Sequence, residues 1–372
     1  MPEKVLITGG AGFIGSHLAD ELLQTGHEVR VLDNLCPQVH GDAAKPPEYL
    51  SGDVEFVRAD VRDDDAVAAA LRGVSAVFHL AAVVGVGQSM YDVQNYTSVN
   101  CQGTATLLQA LIQHPVRKLI IASSMSVYGE GLYRDESGSL QENARRDVEQ
   151  LLRGHWDLRS PTGAALEPVP TRETKRPDIA SIYALGKYDQ EQMSLMIGRA
   201  YGIDTIALRF FNVYGPRQAL SNPYTGVLAI FASRFLNGRP PLIFEDGLQR
   251  RDFVSVYDVA RACRLALESP STAQEIVNVA SGHSVTIRDI AEGMADALGQ
   301  QQIRPITTGK YRVGDIRHCF ADISKARRLL GYEPQMSLKD GFVALAQWLS
   351  GQTAFDRIEQ ANHELEKRGL TL

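Results

Sequence analysis

Tyr183 and Lys187 have the residue types and the spacing to carry out proton transfer. They lie in Ser181-Ile-Tyr-Ala-Leu-Gly-Lys187, near the start of a predicted helix. A four-residue spacing on a helix places both side chains on one face, one turn apart. A positive charge beside a phenol favours the phenolate and lowers a pKa that is ordinarily about 10. The pair is therefore a candidate general base, although the same spacing also occurs in helices without any catalytic role.

A glycine-rich loop near the N-terminus is predicted to bind a dinucleotide. The apolar strand 5–8 runs into glycines 9, 12 and 15, and a helix is predicted over 13–24. Such a loop lets backbone N–H groups approach a pyrophosphate at the positive end of the helix. The next strand, 29–32, leads to Asp33, about 20 residues past the loop, where an acid binds the adenosine ribose hydroxyls. Because Asp33 would repel a 2′-phosphate, the sequence predicts NAD rather than NADP.

Strand and helix patterns then alternate along the chain. Strands are predicted at 55–58, 76–80, 118–122, 205–208 and 276–279, and helices at 64–71, 96–113, 182–201 and 254–268. Repeated β-α units of this kind predict an α/β protein with a Rossmann-type, doubly wound parallel sheet. His79, at the end of an apolar strand, is interpreted as a packed histidine rather than a catalyst.

Three serines follow the strand at 118–122, namely Ser123, Ser124 and Ser126. The carboxyl ends of parallel strands are where open α/β sheets bind their ligands. These serines could close a turn or could donate hydrogen bonds to a substrate. The downstream tyrosine and lysine favour the second interpretation.

Composition excludes several other classes of function. The chain has 372 residues, of which 44% are hydrophobic and 22% charged, and a formal net charge of −6. This balance gives no basic surface for nucleic acid. No apolar run approaches a membrane span and no leader is evident, so no membrane association and a cytoplasmic location are expected. The four cysteines are widely scattered, which offers no metal site.

A set of motifs resembles the extended short-chain dehydrogenases/reductases, the group that contains the nucleotide-sugar epimerases and dehydratases. The resemblance covers nearly the whole chain and follows the order of that family. Its motifs are Thr8–Gly15, Asp33, Asp60, His79–Ala82, Asn100, Ser123–Gly129, Tyr183 with Lys187, Arg209–Pro216, Arg250–Val254 with Asp258, and Arg312 with Asp315.

The resemblance implies three catalytic residues. Tyr183 would remove a proton from a sugar hydroxyl while hydride leaves the same carbon. Lys187 would bind the nicotinamide ribose and help to hold the phenol's pKa low. Ser124 would bind the reacting oxygen and relay its proton.

The resemblance also implies the residues that contact the ligands. For NAD they are Gly9, Gly12, Phe13, Ile14, Gly15, Asp33, Asn34, Asp60, Val61, Leu80, Ala81, Ala82, Asn100, Ser123, Tyr183, Lys187 and Phe210. For the nucleotide-diphosphate sugar they are Gln88, Ser89, Ser124, Ser126, Asn212, Phe244, Arg251, Arg312 and Asp315. Arg251 and Arg312 would neutralise the diphosphate, and Phe244 would pack on the base or serve in the core.

The residues after Ser124 separate the subclasses of this family. Dehydratases place an Asp-Glu pair there, decarboxylases a Glu and 3,5-epimerase/reductases a Cys, whereas this chain has Met125 and Ser126. Simple removal and return of hydride, that is 4-epimerisation, is therefore expected. A dehydratase, a net oxidoreductase and a non-catalytic NAD-binding protein are the alternatives.

The sugar is less clearly specified by the sequence. The segments Val83–Met90 and Pro223–Val227 are most similar to bacterial enzymes assigned to dTDP-L-rhamnose 4-epimerisation, which suggests a dTDP-linked 6-deoxy sugar. UDP-glucose/galactose and UDP-glucuronate remain open as substrates, and Arg217 could bind a carboxylate.

The expected organisation is a Rossmann domain with a smaller, discontinuous substrate domain. Residues 1–209 form the NAD-binding domain, to which 253–280 return, and 210–252 with 281–350 form the substrate domain. Residues 351–372 are a tail without motifs. An insert at about 130–180 is either a solvated surface excursion or a rim over the sugar pocket. The resemblance further implies a homodimer through helix 182–201 and the helix containing Asn100.

Overall fold

The computed structural model describes residues 3–42, 45–222, 224, 226–270, 272–312, 314–352, 356 and 358–371. Its strands are β1 (Lys4–Thr8), β2 (Glu28–Asp33), β3 (Glu55–Arg58), β4 (Ala76–His79), β5 (Lys118–Ser124), β6 (Leu132–Arg134), β7 (Leu140–Gln141), β8 (Glu167–Val169), β9 (Asp204–Phe210), β10 (Asn212–Tyr214), β11 (Leu242–Ile243), β12 (Arg250–Ser255), β13 (Glu275–Val279), β14 (Ser284–Thr286), β15 (Ile306–Thr307) and β16 (His318–Cys319). Its α-helices are α1 (Phe13–Gln24), α2 (Pro37–His40), α3 (Asp64–Ala70), α4 (Val86–Ser89), α5 (Val93–Tyr96), α6 (Gly103–Gln113), α7 (Val148–Leu152), α8 (Ile182–Tyr201), α9 (Val227–Leu236), α10 (Val256–Glu268), α11 (Ile287–Ala297), α12 (Ser324–Leu330), α13 (Leu338–Leu349) and α14 (Ile358–Lys367).

A seven-stranded parallel sheet forms the centre of the molecule, in the order β3-β2-β1-β4-β5-β9-β13. Apolar residues cover both of its faces, with Leu18 and Val259 in one buried cluster and Leu107 and Leu111 in another. Strands buried on both faces are nearly all apolar, which is why the sequence shows continuous rather than alternating apolar runs there. The predicted Rossmann-type, doubly wound fold is confirmed.

The second half of the chain builds a separate apolar cluster around Phe231, Phe235, Met294 and Phe342. A small sheet, β10-β12-β14 with β16 paired to β12, borders this cluster. Strand β13 returns to the large sheet and pairs with β9, as expected. Val254 was expected to begin a helix but lies in β12, because Ser255 caps α10 through a hydrogen bond from the Tyr257 amide to its hydroxyl.

The insert is a folded segment held by buried charge. Strands β7, β6 and β8 form an antiparallel sheet over a small core that contains Tyr133 and Leu158. The Arg146 side chain is 2% exposed and lies 2.7 Å from Glu245 and 3.5 Å from Glu130. Because Glu245 follows Phe244 directly, the insert is fixed to the region expected to bind the nucleotide, and it is not a solvated excursion.

Within the described ranges, every helix is either too short or too polar to cross a bilayer.

Two adjacent arginines of the insert allow its anchoring to be tested. Arg146→Met should lower the free energy of unfolding by about 3 kcal/mol, the lower end for a broken buried pair, because Glu130 and Glu245 would lose a buried positive charge while Arg317 still pairs with Glu245. Arg145 is 74% exposed in its ion pair with Asp178, so Arg145→Met should cost less than about 1 kcal/mol. Urea unfolding of both variants measures the difference. Equal effects would contradict the buried anchor.

Candidate active site

Helix α8 presents the candidate base to the end of the sheet. Ser181 caps it by accepting a hydrogen bond of 3.1 Å from the Ala184 amide. Tyr183 and Lys187 then lie on the buried face, with 9% and 4% of their surface exposed. The Lys187 Nζ donates to the Ala122 carbonyl at 2.9 Å, which ties this face to β5.

Burial controls the ionisation of both residues. Desolvation raises the pKa of Tyr183 to about 12, while a side-chain hydrogen bond with Ser124 acts in the opposite direction. Desolvation lowers the pKa of Lys187 to about 8. The sequence led us to expect a lowered pKa for the phenol, but in the protein alone burial outweighs the lowering contribution. The phenol is therefore protonated at neutral pH unless another positive charge lies beside it.

Ser124 is placed by strand pairing. It is the last residue of β5 and lies opposite Phe210 in the register with β9. A short 3₁₀ turn, Met125–Tyr128, follows, and the Ser126 amide donates to the Ser124 Oγ at 3.1 Å. Tyr183, Ser124 and Phe210 thus meet at the carboxyl end of the sheet, as the sequence predicts for a ligand site.

A buried charged network, which sequence reasoning missed, holds α8 in this position. Glu191 accepts a hydrogen bond of 2.7 Å from the Ser123 hydroxyl and two from Arg209, at 2.9 and 2.7 Å. The Arg209 guanidinium lies 4.7 Å above the Tyr128 ring, and the Tyr128 hydroxyl donates to Asn278 at 2.7 Å. The available signal was the helical spacing, because Glu191 lies one turn beyond Lys187 on the same face.

His79 is a packed residue, as predicted. Its Nδ1 lies 2.8 Å from the Thr8 hydroxyl and its Nε2 lies 2.8 Å from the Thr104 hydroxyl. Complete burial lowers its pKa to about 3. The neutral ring therefore links β1, β4 and α6.

The N-terminal glycine-rich loop, residues 9–15, has the shape of a dinucleotide-binding loop and is called the cradle below. A Cβ on Gly9 would lie 2.8 Å from the Ala81 Cα, and one on Gly15 would lie 2.5 Å from the Gly9 carbonyl oxygen. Only glycine permits this close approach of the β1 and β4 ends to the start of α1. Asp33, at the end of β2, accepts from the amides of Ala11 and Leu35 at 3.1 and 2.9 Å. The loop and the acid therefore lie together, in an arrangement that fits NAD.

Several other residues expected to contact NAD instead have protein partners. Asn34 donates to Asp60 at 3.0 Å, and the Arg62 hydrogen bonds lower the pKa of Asp60 to about 2. Asn100 lies in a π-helical turn, Thr97–Gln102, and its amide pairs with the N–H and C=O of Val83 at 2.8 and 3.1 Å. That pairing fixes the backbone just after Ala81 and Ala82, where a cofactor would pass.

On the substrate side, the structure brings together Phe244, Arg251, Arg312 and Asp315. The Arg312 guanidinium stacks 4.0 Å from the centre of the Phe244 ring. Arg251 donates to the carbonyls of Ile316 and Arg317 at 2.6 and 2.9 Å, and so holds the segment that follows Asp315.

Three of the residues expected to bind substrate bury a polar atom without a hydrogen-bond partner in the described part of the chain. They are the Ser126 Oγ, the Asn212 Oδ1 and the Arg312 Nε. Buried polar atoms are normally satisfied, and an exception calls for an explanation such as a bound ligand.

The segment 83–90 is placed differently from the rest of the site. Ser89 is fully buried, and its hydroxyl donates to the Val86 carbonyl at 2.6 Å, so it closes the local turn. Gln88 accepts hydrogen bonds from Gln38 and Tyr96 at 2.8 and 3.2 Å. Of the segment 223–227, Pro223 and Thr225 lie outside the described residues, while the Tyr224 hydroxyl accepts from Tyr91 at 2.5 Å.

The cradle can be tested by adding a single methyl group. Gly15→Ala should weaken NAD binding about tenfold or more, because the new Cβ overpacks against the Gly9 backbone and distorts the loop. Gly52→Ala is the control, since a Cβ there meets no atom within 4 Å. Calorimetric titration with NAD reports both affinities, and an unchanged affinity in Gly15→Ala would contradict this geometry.

Comparison with known proteins agrees with this geometry. Residues 5–147 and 160–280 match the family described as NAD dependent epimerase/dehydratase. The chain is 35% identical over 352 residues to a dTDP-L-rhamnose 4-epimerase of Burkholderia thailandensis, covering 94% of this chain and 95% of that protein.

Solved structures show the same likeness. A UDP-N-acetylglucosamine 4-epimerase from Methanobrevibacter ruminantium, in complex with UDP-N-acetylmuramic acid, superposes with a TM-score of 0.77 at 30% identity over 95% of this chain and 99% of its own. A UDP-glucose 4-epimerase from Thermus thermophilus, in complex with NAD, gives 0.74 at 32% identity over 94% and 100%. The resemblance noted in the sequence is thereby confirmed: the chain belongs to the NAD-dependent epimerase/dehydratase family.

Proposed function

We propose that the protein is a nucleotide-sugar 4-epimerase whose preferred substrate is dTDP-L-rhamnose or another dTDP-linked 6-deoxy sugar. The observation that carries 4-epimerisation is that Tyr183 and Lys187 lie buried on one face of α8, and that Lys187 ties this face to β5, the strand that ends at Ser124. Met125 and Ser126 follow Ser124, so neither a carboxylate nor a thiol stands where the dehydratase, decarboxylase and reductase branches carry one. The enzyme is an isomerase that uses NAD.

Side chains of the protein transfer the proton of the reacting sugar hydroxyl. Tyr183 takes the proton of the sugar O4 hydroxyl as the C4–H bond breaks, and returns it when hydride comes back. Ser124, at the carboxyl end of β5, would bind O4 and pass that proton on. Lys187, held by the Ala122 carbonyl one helical turn from Tyr183, would bind the nicotinamide ribose. NAD, when bound, supplies the hydride acceptor and a positive charge beside Tyr183.

The diphosphate is assigned to the Arg251 and Arg312 side. Arg312, stacked on Phe244, keeps a buried Nε without a protein partner in the described residues. A planar guanidinium suits phosphate oxygens, which are charged acceptors. Asn212 would contact the diphosphate side of the substrate by donating from its amide nitrogen, while its unsatisfied Oδ1 would accept from a neighbouring hydroxyl.

Two observations support a dTDP-6-deoxy sugar over a UDP-hexose or UDP-uronate. The first is the likeness to the Burkholderia thailandensis enzyme, which is named a dTDP-L-rhamnose 4-epimerase. Met125, an apolar residue after Ser124, packs in a core cluster with Val127 and Phe211, so the second observation comes from Arg217 instead. Arg217, the candidate reader of a uronate carboxylate, instead forms an ion pair with Asp20 at 2.7 Å.

We also propose a homodimer built on α8. Leu185 and Met196 are 42% and 63% exposed on this helix, and Val93 of α5 is 45% exposed. Leu185 and Met196 lie about three turns apart and so face the same direction. Exposed apolar side chains on one helical face indicate contact with a partner.

The function is tested with a panel of dTDP- and UDP-linked sugars that includes 6-deoxy and uronate forms. We expect dTDP-L-rhamnose and its C4 epimer to interconvert, as followed by NMR, without stoichiometric NADH, since hydride leaves and returns. Tyr183→Phe should lose about 100-fold or more in kcat yet still bind NAD.

Tyr201→Phe is the control on the same helix, since Tyr201 is 51% exposed. Conversion of UDP-sugars alone would transfer the proposal to a UDP-hexose or UDP-uronate. Near-normal turnover by Tyr183→Phe, or stoichiometric NADH in the wild type, would contradict 4-epimerisation by this residue.

The dimer is tested by sedimentation. The wild-type chain should sediment at twice its 40.8 kDa mass, and Leu185→Glu with Met196→Glu should sediment as a monomer. Leu152→Glu serves as the control, because Leu152 is 69% exposed in the insert, away from α8. A wild-type monomer, or a double variant that remains dimeric, would exclude this interface.

A further inference from the structure

The C-terminal segment, Asp356 with Ile358–Thr371, contacts both the Rossmann side of the molecule, at Gly87 and Tyr91, and the substrate side, at Arg234 and Arg312. It begins at a buried ion pair, where the Asp356 Oδ2 lies 2.9 Å from Arg234 of α9. The other oxygen of Asp356 accepts from the Ile358 amide at 3.1 Å and starts α14. The first end of the segment is thus fixed to the second cluster.

Helix α14 then contacts the segment that follows β4. The Leu365 side chain is buried, and a Cβ on Gly87 would lie 3.4 Å from it, which indicates close packing. The Arg368 guanidinium lies 4.4 Å above the Tyr91 ring, and the Tyr91 hydroxyl donates to Tyr224. The middle of the C-terminal segment therefore packs against the Rossmann side of the molecule.

The far end of the segment meets the residues assigned to the diphosphate. Thr371 forms an antiparallel bridge with the backbone of Arg312. Glu366 pairs with Lys310 at 2.6 Å. The C-terminal segment is thus attached to both sides of the molecule and to the arginine that stacks on Phe244.

A cavity of about 360 Å³ lies under α14. Its walls come from both sides of the molecule, with Gln38 and Gln88 on one side, Asn222 on the other and Gln360 and Glu364 of α14 above. Gln38 hydrogen-bonds to both Gln88 and Asn222, at 2.8 and 3.2 Å. The cavity therefore has a mixed lining, since Pro37, Tyr224 and Ala361 add apolar surface to these polar side chains, as is usual for a ligand site.

We propose that the C-terminal segment is the outer wall of the nucleotide-sugar site and retains the oxidised sugar between the two hydride transfers. The inference rests on the proposed 4-epimerase function. After the first transfer, the sugar has lost one hydride from C4 and one proton from O4, and it must turn over before hydride returns to its other face. A sugar that escapes at this stage takes its carbonyl into solution and leaves one NADH on the enzyme. A wall tied to both sides of the molecule lowers the rate of that escape.

Arg368 and its neighbour Lys367 form a matched pair of variants. Arg368→Ala removes the contact with Tyr91 and the ion pair with Glu364 of the cavity wall, whereas Lys367→Ala removes an equal charge from an exposed position on the same helix end. With the preferred nucleotide sugar, Arg368→Ala should accumulate enzyme-bound NADH about threefold or more above wild type, the range expected for loss of one cation–π contact. Lys367→Ala should match the wild type.

A second measurement is independent of turnover. In the Tyr183→Phe background, the nucleotide sugar should dissociate about threefold faster when Arg368→Ala is added, and at an unchanged rate when Lys367→Ala is added. A chain truncated after Gly351 should show both effects more strongly. If truncation impairs folding, the point variants decide.

The two proposals fail in different ways. A wild-type enzyme that forms no C4 epimer from any sugar of the panel contradicts the proposed function and the inference together. An active wild type whose Arg368→Ala variant keeps normal NADH levels and normal dissociation rates overturns the C-terminal wall alone.

Discussion

The buried ion pair between Glu191 and Arg209 is the interaction on which the active site depends. It joins α8 to β9 with both side chains at most 3% exposed, and Glu191 also receives the Ser123 hydroxyl. Breaking such a pair costs about 3–5 kcal/mol, because the remaining charge stays buried. Since Tyr183 and Lys187 share the helix with Glu191, and Ser124 adjoins Ser123, this one pair helps to position all three residues proposed to be catalytic. In the proposed mechanism, the catalytic side chains are therefore positioned by two charged residues that do not themselves contact the substrate.

Around that pair, the fold separates binding from chemistry. Parallel strands bring the glycine loop, Asp33 and Ser124 to one edge of the sheet. Phe244 and Arg312, which stack on each other, come from the later half of the chain. Burial makes ionisation costly at this edge, which explains why the pKa of Tyr183 is raised and that of Lys187 is lowered. In the proposed mechanism, Tyr183 therefore accepts a proton only when bound NAD supplies a positive charge and a sugar hydroxyl lies beside the phenol.

The sequence predicted the features that depend on local pattern. The glycine loop, α1 and the end of α8 at Gly202 follow from apolar runs bounded by glycine, and their positions agree with the structure. The features it missed depend on distant partners. Arg146 meets Glu245 across 99 residues, and Thr371 pairs with Arg312. The π-helical turn at Asn100 serves a contact with Val83 that no helical period reveals. Charged residues in loops carry no periodicity, so their burial could not be predicted from the sequence.

The hydrogen bond from Tyr128 to Asn278 has a consequence for how the chain is made. Tyr128 ends the turn after Ser124, and it is braced by a residue of β13, 150 positions later. During synthesis, the strands up to β5 and then α8 can assemble while the rest of the chain is still being added. The serine turn, however, acquires its support only after β13 has emerged and joined the edge of the sheet. The turn after Ser124 is therefore completed late in synthesis. A chain terminated before β13 would contain the glycine-rich loop but would lack the Asn278 side chain that supports this turn.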